Sequence, residues 1–370
     1  YNPYYDGWWG HDTLPKLNYE QSPNLREYIL HIAEKWLKPP YSVDGWRLDV
    51  AADLGYSEAY NHDFWRAFRQ RVKKTNPEAL ILAEHYGDCS AWLQGDQWDS
   101  VMNYDAFMEP ITWFLTGMEK HSDDRRDDLY GNAGVFQDAM LRNMARFCEP
   151  SLETAMNELS NHDHSRFLTR TNRKVGRIHT LGAAEASEGV RKGVMKEAVV
   201  FQMTWVGCPT VYYGDEAGLC GFTDPDNRRT YPWGREDQDL LAFHREMIRI
   251  RKEHPVLRYG STRFLTMEEQ FISYGRFDGR ETILVLMNNA QEERKVEIPV
   301  WMAEVPEEAE LECLMETGSG RVRNGSSHLL LYWVRCTLSR QNHASILVKM
   351  TLNRLKRYPC YGMIKHNGSG

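Results

Sequence analysis

Short apolar runs alternate with segments of helical periodicity from residue 21 to about residue 256. The apolar runs predict buried strands at 43–50, 80–83, 100–104, 155–159 and 210–213. Apolar residues at helical spacing predict helices at 25–36, 64–72, 192–204 and 240–252. Strands that alternate with helices are typical of βα units and a parallel sheet. The sequence therefore predicts an α/β fold.

The pattern changes after about residue 256. Strand-like runs at 271–274, 282–287 and 295–298 are separated by turns such as Asp278-Gly279. They predict a separate antiparallel β domain, with a boundary near residues 254–262. The first twenty residues are rich in aromatic residues, Gly and Asn, and they predict a loop.

Composition narrows the class of protein. The chain of 370 residues is 42% hydrophobic and 26% charged, which is typical of a globular protein. Its net charge of −7 disfavours a nucleic-acid partner, and no apolar run approaches the ~20 residues of a membrane helix. Seven cysteines without a close pair predict neither a disulfide framework nor a zinc site. No signal peptide is visible from Tyr1, so we expect a cytoplasmic protein.

The charge is distributed unevenly along the chain. Residues 317–370 carry nine Lys and Arg and no Asp or Glu. One interpretation is a basic tail for an anionic partner. The other, which we favour, is a shifted reading frame after about Arg321, since the apolar run at 329–334 is unusual for an exposed tail.

Three acidic residues lie at or just beyond the ends of predicted strands: Asp49, Glu84 and Asp163. The carboxyl ends of parallel strands meet at one face of an α/β barrel, so the three carboxylates could share a pocket. Any one of them could instead cap the following helix. The presence of acids near the ends of three strands favours an active site over three separate helix caps.

The neighbours of these acids suggest different protonation states. Arg47 and Asp49 are two apart on one strand and share a face, so the guanidinium should keep Asp49 ionised, as a nucleophile requires. Glu84 follows four apolar residues, where burial would raise its pKa, as a general acid requires. Asp163 could stabilise an oxocarbenium-like charge, and His162 could bind sugar hydroxyls. This combination predicts retaining glycoside hydrolysis.

The motifs around these residues resemble those of the α-amylase family, glycoside hydrolase family 13. The matching segments are 44–51 (DGWRLDVA), 83–84 (AE), 160–163 (SNHD) and 207–216 (GCPTVYYGDE). The resemblance implies that Asp49 is the nucleophile, Glu84 the acid/base and Asp163 the transition-state stabiliser. It implies cleavage of α-glucosidic bonds in maltooligosaccharides, cyclodextrins, pullulan or starch-like glucans.

The same resemblance implies a domain organisation. Five predicted strands would be strands four to eight of a (β/α)8 TIM barrel, whose first three strands would precede Tyr1. The expected domains are the end of an inserted loop domain (1–20), the later part of the barrel (21–256), a β-sandwich (257–321) and an atypical basic tail (322–370).

Two further segments, 14–18 (LPKLN) and 224–229 (DPDNRR), resemble the neopullulanase and cyclomaltodextrinase branch. There the resemblance implies that Asp224 and Arg228 bind a sugar beyond the cleavage point; a salt-bridged loop is the alternative. Tyr86 stands where that branch often has Trp, and Ala52 where Asn is common. No organic cofactor is required, calcium is an optional ion without a dedicated loop here, and a homodimer is an option for the full-length protein.

Three alternatives remain open. An α-glucosidase or a transglycosylase would use the same covalent intermediate. A truncated, catalytically inactive homologue would retain the carboxylates as relics. A metal-dependent hydrolase could use His162, Asp163 and His164, although neighbouring side chains point apart and suit one metal poorly.

Overall fold

The computed structural model describes residues 4–290, 292, 294–305, 310–317, 321–324, 333–338 and 344–351. Ten α-helices lie in these residues. They are α1 (Pro23–Leu37), α2 (Glu58–Thr75), α3 (Glu109–Thr116), α4 (Ala133–Met144), α5 (Glu149–Glu153), α6 (Phe167–Arg170), α7 (Ile178–Leu181), α8 (Lys192–Thr204), α9 (Gln238–Glu253) and α10 (Val256–Tyr259). In this part of the chain, no helix combines the length and the apolarity needed to cross a bilayer.

The chain before residue 256 contains short parallel strands in chain order. They are β1 (Gly45–Leu48), β2 (Leu80–Ala83), β3 (Ser100–Val101), β4 (Met156–Glu158) and β5 (Cys208–Thr210). β1, β2 and β3 form one parallel sheet and β4 pairs with β5. A single parallel bridge from Met102 to Met156 joins the two groups. The parallel arrangement predicted from the sequence is confirmed.

Helices between the strands begin and end at residues with a clear physical role. Ser57 precedes α2, and its hydroxyl accepts a hydrogen bond from the backbone N–H of Tyr60 at 3.3 Å. Asp237 caps α9 in the same way, through the N–H groups of Asp239 and Leu240. α9 ends at Glu253, two residues before Pro255, whose missing N–H disfavours continuation of the helix.

The second half of the described chain is antiparallel. Its strands are β6 (Ser261–Glu268), β7 (Phe271–Phe277), β8 (Glu281–Asn288), β9 (Arg294–Pro299), β10 (Glu310–Thr317), β11 (Arg321–Asn324), β12 (Trp333–Leu338) and β13 (Ala344–Thr351). They form a five-stranded sheet in the order β10-β13-β8-β7-β6 and a three-stranded sheet in the order β11-β12-β9. The predicted antiparallel unit is confirmed, and it contains β6, which the apolar pattern did not indicate.

β8 is buried on both faces, which explains its unbroken apolar sequence. Ile283 and Val285 pack into the core that contains the helices around the parallel strands. Leu284 and Leu286 point to the opposite face and share a cluster with Ile298 of the smaller sheet. Side chains alternate between the faces of a strand, so β8 joins the two parts of the molecule.

Two strands lie within 322–370, the segment for which the charge pattern predicts an atypical tail. β12 pairs with β9 and β11, and β13 pairs with β8 and β10. Residues 325–332, 339–343 and 352–370 lie outside the described residues. Whether the segment arises from a shifted frame stays a prediction.

Candidate active site

Asp49 and Glu84 come directly after neighbouring parallel strands. Asp49 follows β1 and Glu84 follows β2, and the register pairs Leu48 with Ala83. The two carboxyl groups therefore leave the sheet at the same end, side by side. The structure brings this predicted pair together.

Arg47 contacts both acids. Its guanidinium hydrogen-bonds the Asp49 carboxylate, and its Nη2 lies 3.1 Å from Glu84 Oε2. The backbone N–H of Val50 donates to the same Glu84 oxygen at 3.1 Å. Val50 has a φ of 45°, which is unusual for a β-branched residue. The turn after β1 is thus shaped around the Glu84 carboxyl.

The surroundings push the pKa values of the two acids apart. Burial alone would raise the pKa of Asp49, but hydrogen bonds from Arg47 and Glu84 and the charge of Arg47 bring it below its ordinary value. Burial raises the pKa of Glu84 above its ordinary value, although Val50 and Arg47 act in the opposite direction. The exposed fractions of the two side chains are consistent with these pKa directions, since Asp49 is 73% exposed and Glu84 is 11% exposed. The pair can therefore hold one ionised and one protonated carboxyl.

The remaining predicted residues form a second group at the same end of the sheet. Asp163 follows β4 by five residues, and His162 Nε2 lies 3.5 Å from its Oδ1. Arg228 Nη2 lies 3.6 Å from Asp163 Oδ1 and 3.0 Å from Asp224 Oδ1, while its Nε donates to the His162 carbonyl at 2.9 Å. His162 is among the groups that lower the pKa of Asp49, so the two groups adjoin.

An open cleft lies beside Asp49. It has a volume of about 220 Å³ and its lining includes Trp8, Lys16, Tyr19 and Asp53. Lys16 is held by the carbonyl of Gly55 at 2.9 Å, which fixes the predicted N-terminal loop against the turn after β1. The cleft places aromatic and charged side chains next to Asp49.

Sequence reasoning missed Glu158, a buried carboxyl at the end of β4. Burial raises its pKa to about 8, and the Nδ2 of Asn161 donates to its Oε1 at 2.6 Å. A signal existed, because an acid inside a short strand next to a motif is unusual. The prediction considered only acids at or beyond the ends of predicted strands, and the predicted strand 155–159 places Glu158 in its interior.

Sequence reasoning also gave no role to the aromatic surroundings of Glu84. The Tyr86 ring is stacked on that of Tyr104 with centroids 4.2 Å apart, and its hydroxyl lies 3.1 Å from Nε2 of His164. Lys120 Nζ lies 4.5 Å from the Tyr86 ring centroid. Tyr86 is 43% exposed beside the general-acid candidate.

The adjacent His162, Asp163 and His164 do not converge on one point. The His162 side chain faces Asp163, whereas the His164 ring is buried against Tyr86 and His121. Among the described residues, no group of three or more His, Cys, Asp or Glu is arranged to hold a metal ion. Calcium binding stays an expectation.

Comparisons with known proteins agree with the motifs. Residues 3–233 match the family model described as Alpha amylase, catalytic domain. The chain is 38% identical over 291 residues to a cyclomaltodextrinase from a Bacillus species, covering 78% of this chain and 46% of that protein. It is 35% identical over 361 residues to neopullulanase 2 from Thermoactinomyces vulgaris, covering 96% of this chain and 50% of that protein.

Solved structures resemble this fold as well. The native debranching enzyme from Nostoc punctiforme superposes with a TM-score of 0.76 at 29% identity, covering 95% of this chain and 66% of that one. A cyclomaltodextrinase structure superposes with a TM-score of 0.70 at 33% identity, covering 92% and 52%. The chain spans about half the length of the curated relatives it matches.

Proposed function

The chain belongs to the α-amylase family, and from this premise we propose that it carries the catalytic residues of a retaining glycosidase acting on α-glucans. The observation that carries the proposal is the Asp49–Glu84 pair, in which a shared Arg47 and unequal burial separate the pKa values. Relatives named cyclomaltodextrinase and neopullulanase support maltooligosaccharides, cyclodextrins or pullulan as substrates.

The reaction would proceed in two displacements. Protonated Glu84 gives its proton to the glycosidic oxygen while the Asp49 carboxylate attacks the anomeric carbon. Asp163 lies across the site and stabilises the oxocarbenium-like charge, and His162 binds a hydroxyl of the same sugar. Glu84, now ionised, then removes a proton from water, which releases the sugar from Asp49.

We also propose a finer domain assignment. β1 to β5 correspond to strands four to eight of a TIM barrel, since a closed barrel of this family needs eight. The two antiparallel sheets, whose facing side chains share one apolar cluster, form a β-sandwich. Asp224 and Arg228 lie at the edge of the Asp163 loop, a position suited to a sugar beyond the cleavage point.

Trapping the covalent intermediate tests the proposal. Glu84→Gln cannot activate water, so an activated α-glycosyl fluoride should leave a stable glycosyl group on Asp49, located by mass spectrometry of peptides. Glu78→Gln is a matched control, because Glu78 is exposed near the other end of β2 and should leave turnover unchanged. An adduct on another residue would contradict the assigned roles.

A second candidate is sugar transfer by the same intermediate. The Tyr86 side chain beside Glu84 is 43% exposed, so its solvent-facing part could contact an acceptor sugar that competes with water. Product analysis with maltotriose separates the two functions, since longer oligosaccharides form only by transfer.

A further inference from the structure

A hydrogen bond joins two loops of the proposed active site. Tyr86 follows Glu84 by two residues, and His164 directly follows Asp163. The Tyr86 hydroxyl lies 3.1 Å from His164 Nε2. The two loops follow β2 and β4, which are separated in the sheet order by β3. The contact therefore links segments that no backbone pairing between adjacent strands would connect.

A second route connects the same loops through Tyr104. Its ring is stacked on the Tyr86 ring with an angle of 4° between their planes. The Nδ2 of Asn161 donates to the Tyr104 hydroxyl at 3.3 Å, and the Oδ1 of Asn161 accepts from the backbone N–H of Asp163 at 3.0 Å. Tyr86 is thus held both by its hydroxyl and by its face, and both contacts lead back to the Asp163 turn.

The surroundings of His164 favour a single protonation state of its ring in this contact. It is fully buried, and burial together with the neighbouring charges of His121 and Arg170 lowers its pKa to about 2, so the ring is neutral. Its Nδ1 has no hydrogen-bond partner among the described residues. A buried lone pair costs less than a buried unpaired N–H, so the proton belongs on Nε2 and is donated to Tyr86.

We propose that His164 is a positioning residue that, through Tyr86, holds the Glu84 loop in register with the Asp163 loop. The inference rests on the proposed function, because it assigns His164 a role in that reaction. The acid and the stabilising carboxylate act on the same sugar, and small displacements of such groups cost large factors in rate. His164 itself touches neither carboxylate side chain in the described contacts, so it acts through Tyr86.

Kinetics of single and double variants test the coupling. Tyr86→Phe keeps the stacked ring and removes only the hydroxyl, and His164→Phe removes the donor. Each variant should lower kcat on maltotriose about tenfold, which is the rate factor expected for the loss of one well-placed hydrogen bond. KM should change less than about twofold. The double variant should be no slower than either single one. His164→Gln retains an N–H donor and should recover most of the rate.

Tyr60→Phe is the matched control. Tyr60 also donates from its hydroxyl, to the carbonyl of Tyr19 at 2.9 Å, but it lies within α2 rather than in a loop that follows β2 or β4. Its kcat should equal that of the unmodified protein. Additive losses from Tyr86→Phe and His164→Phe, or a rise in KM without a fall in kcat, would overturn the proposal.

A nuclear magnetic resonance measurement separates this inference from the proposed function. Histidine labelled with ¹⁵N should show His164 neutral from pH 5 to 8 and protonated on Nε2, with a shift that changes in Tyr86→Phe. A charged ring, or an unchanged shift, would refute the link even in a protein that turns over substrate. A protein with the expected shifts and no turnover of any α-glucan would instead refute the proposed function.

Discussion

Replacing Arg47 by methionine should move the whole pH profile of kcat/KM toward alkaline pH. The Arg47 guanidinium contacts both Asp49 and Glu84, so one substitution removes a cation from the two carboxyls at once. A cation favours the ionised form of each group, and both pKa values should rise when it is lost. Activity requires Asp49 ionised and Glu84 protonated, so the acid and alkaline limbs should both shift upward.

The size of the shift follows from exposure. Two unit charges ~4 Å apart interact by about 1 kcal/mol in water and about 4 kcal/mol at a protein surface, and 1.36 kcal/mol corresponds to one pKa unit. Asp49 is 73% exposed, so the water value of about 1 kcal/mol applies to its interaction with Arg47 and its limb should move only slightly. Glu84 is 11% exposed, so its interaction with Arg47 is stronger and its limb should move further than that of Asp49.

The assay is kcat/KM for maltotriose hydrolysis between pH 4 and pH 10, with thermal unfolding followed in parallel. Arg47→Lys keeps the positive charge but loses the planar guanidinium that contacts both carboxyls. Its profile of kcat/KM against pH should therefore be lower but centred near the original pH. The limbs report the coupled pair rather than either carboxyl alone, so the test is the displacement of both limbs. A methionine variant whose profile falls in height without moving would refute the electrostatic role of Arg47.

Two further predictions concern stability. Asp215→Ala should lower the free energy of unfolding, measured in urea, by ~3–5 kcal/mol, because the fully buried Arg166 then loses the carboxylate 2.9 Å away. Asp239→Ala is the control: it breaks an exposed ion pair with Lys196 and should lower the same free energy by under ~1 kcal/mol. Equal losses in the two variants would contradict the argument. Gly207→Ala should cost ~1–3 kcal/mol, since Gly207 has a φ of 116° and a Cβ would lie 2.4 Å from the Asn157 amide nitrogen. An unchanged urea midpoint in Gly207→Ala would show that Asn157 can move aside.

β2 was predictable in full, because it is a short apolar run with a clear boundary and it is observed at the predicted residues, Leu80–Ala83. The structure differs most from the prediction at the ends of the predicted strands. The predicted strand at 210–213 is observed as Cys208–Thr210, and the chain then turns, with the Tyr212 carbonyl accepting from the N–H of Asp215. The predicted strand at 100–104 stops at Val101, and Tyr104–Met108 form a turn of π-helix. Apolar side chains alone do not distinguish these cases, since short apolar runs occur in strands and in helices alike.

The candidate site was predictable where the contacts are local in sequence. Arg47 and Asp49 share one strand face, and the apolar run before Glu84 implies burial, so their opposite pKa directions follow from neighbours along the chain. The contact of Arg228 with Asp163 and that of Tyr86 with His164 join residues far apart in sequence. Only folding brings these residues together, and no sequence pattern around either residue predicts the contacts.

Glu158 illustrates why a buried acid can belong beside three candidate catalytic carboxylates. Burial raises its pKa to about 8, and Asp163 and Asp215 oppose a further negative charge, so the carboxyl is protonated at neutral pH. A neutral carboxyl still accepts the hydrogen bond from Asn161, whose own oxygen accepts from the backbone N–H groups of Asp163 and His164. The strand end thus orders the Asp163 turn without adding charge to the site. An ionised acid in the same place would compete with Asp49 and Glu84 for Arg47, which interacts with all three carboxyls.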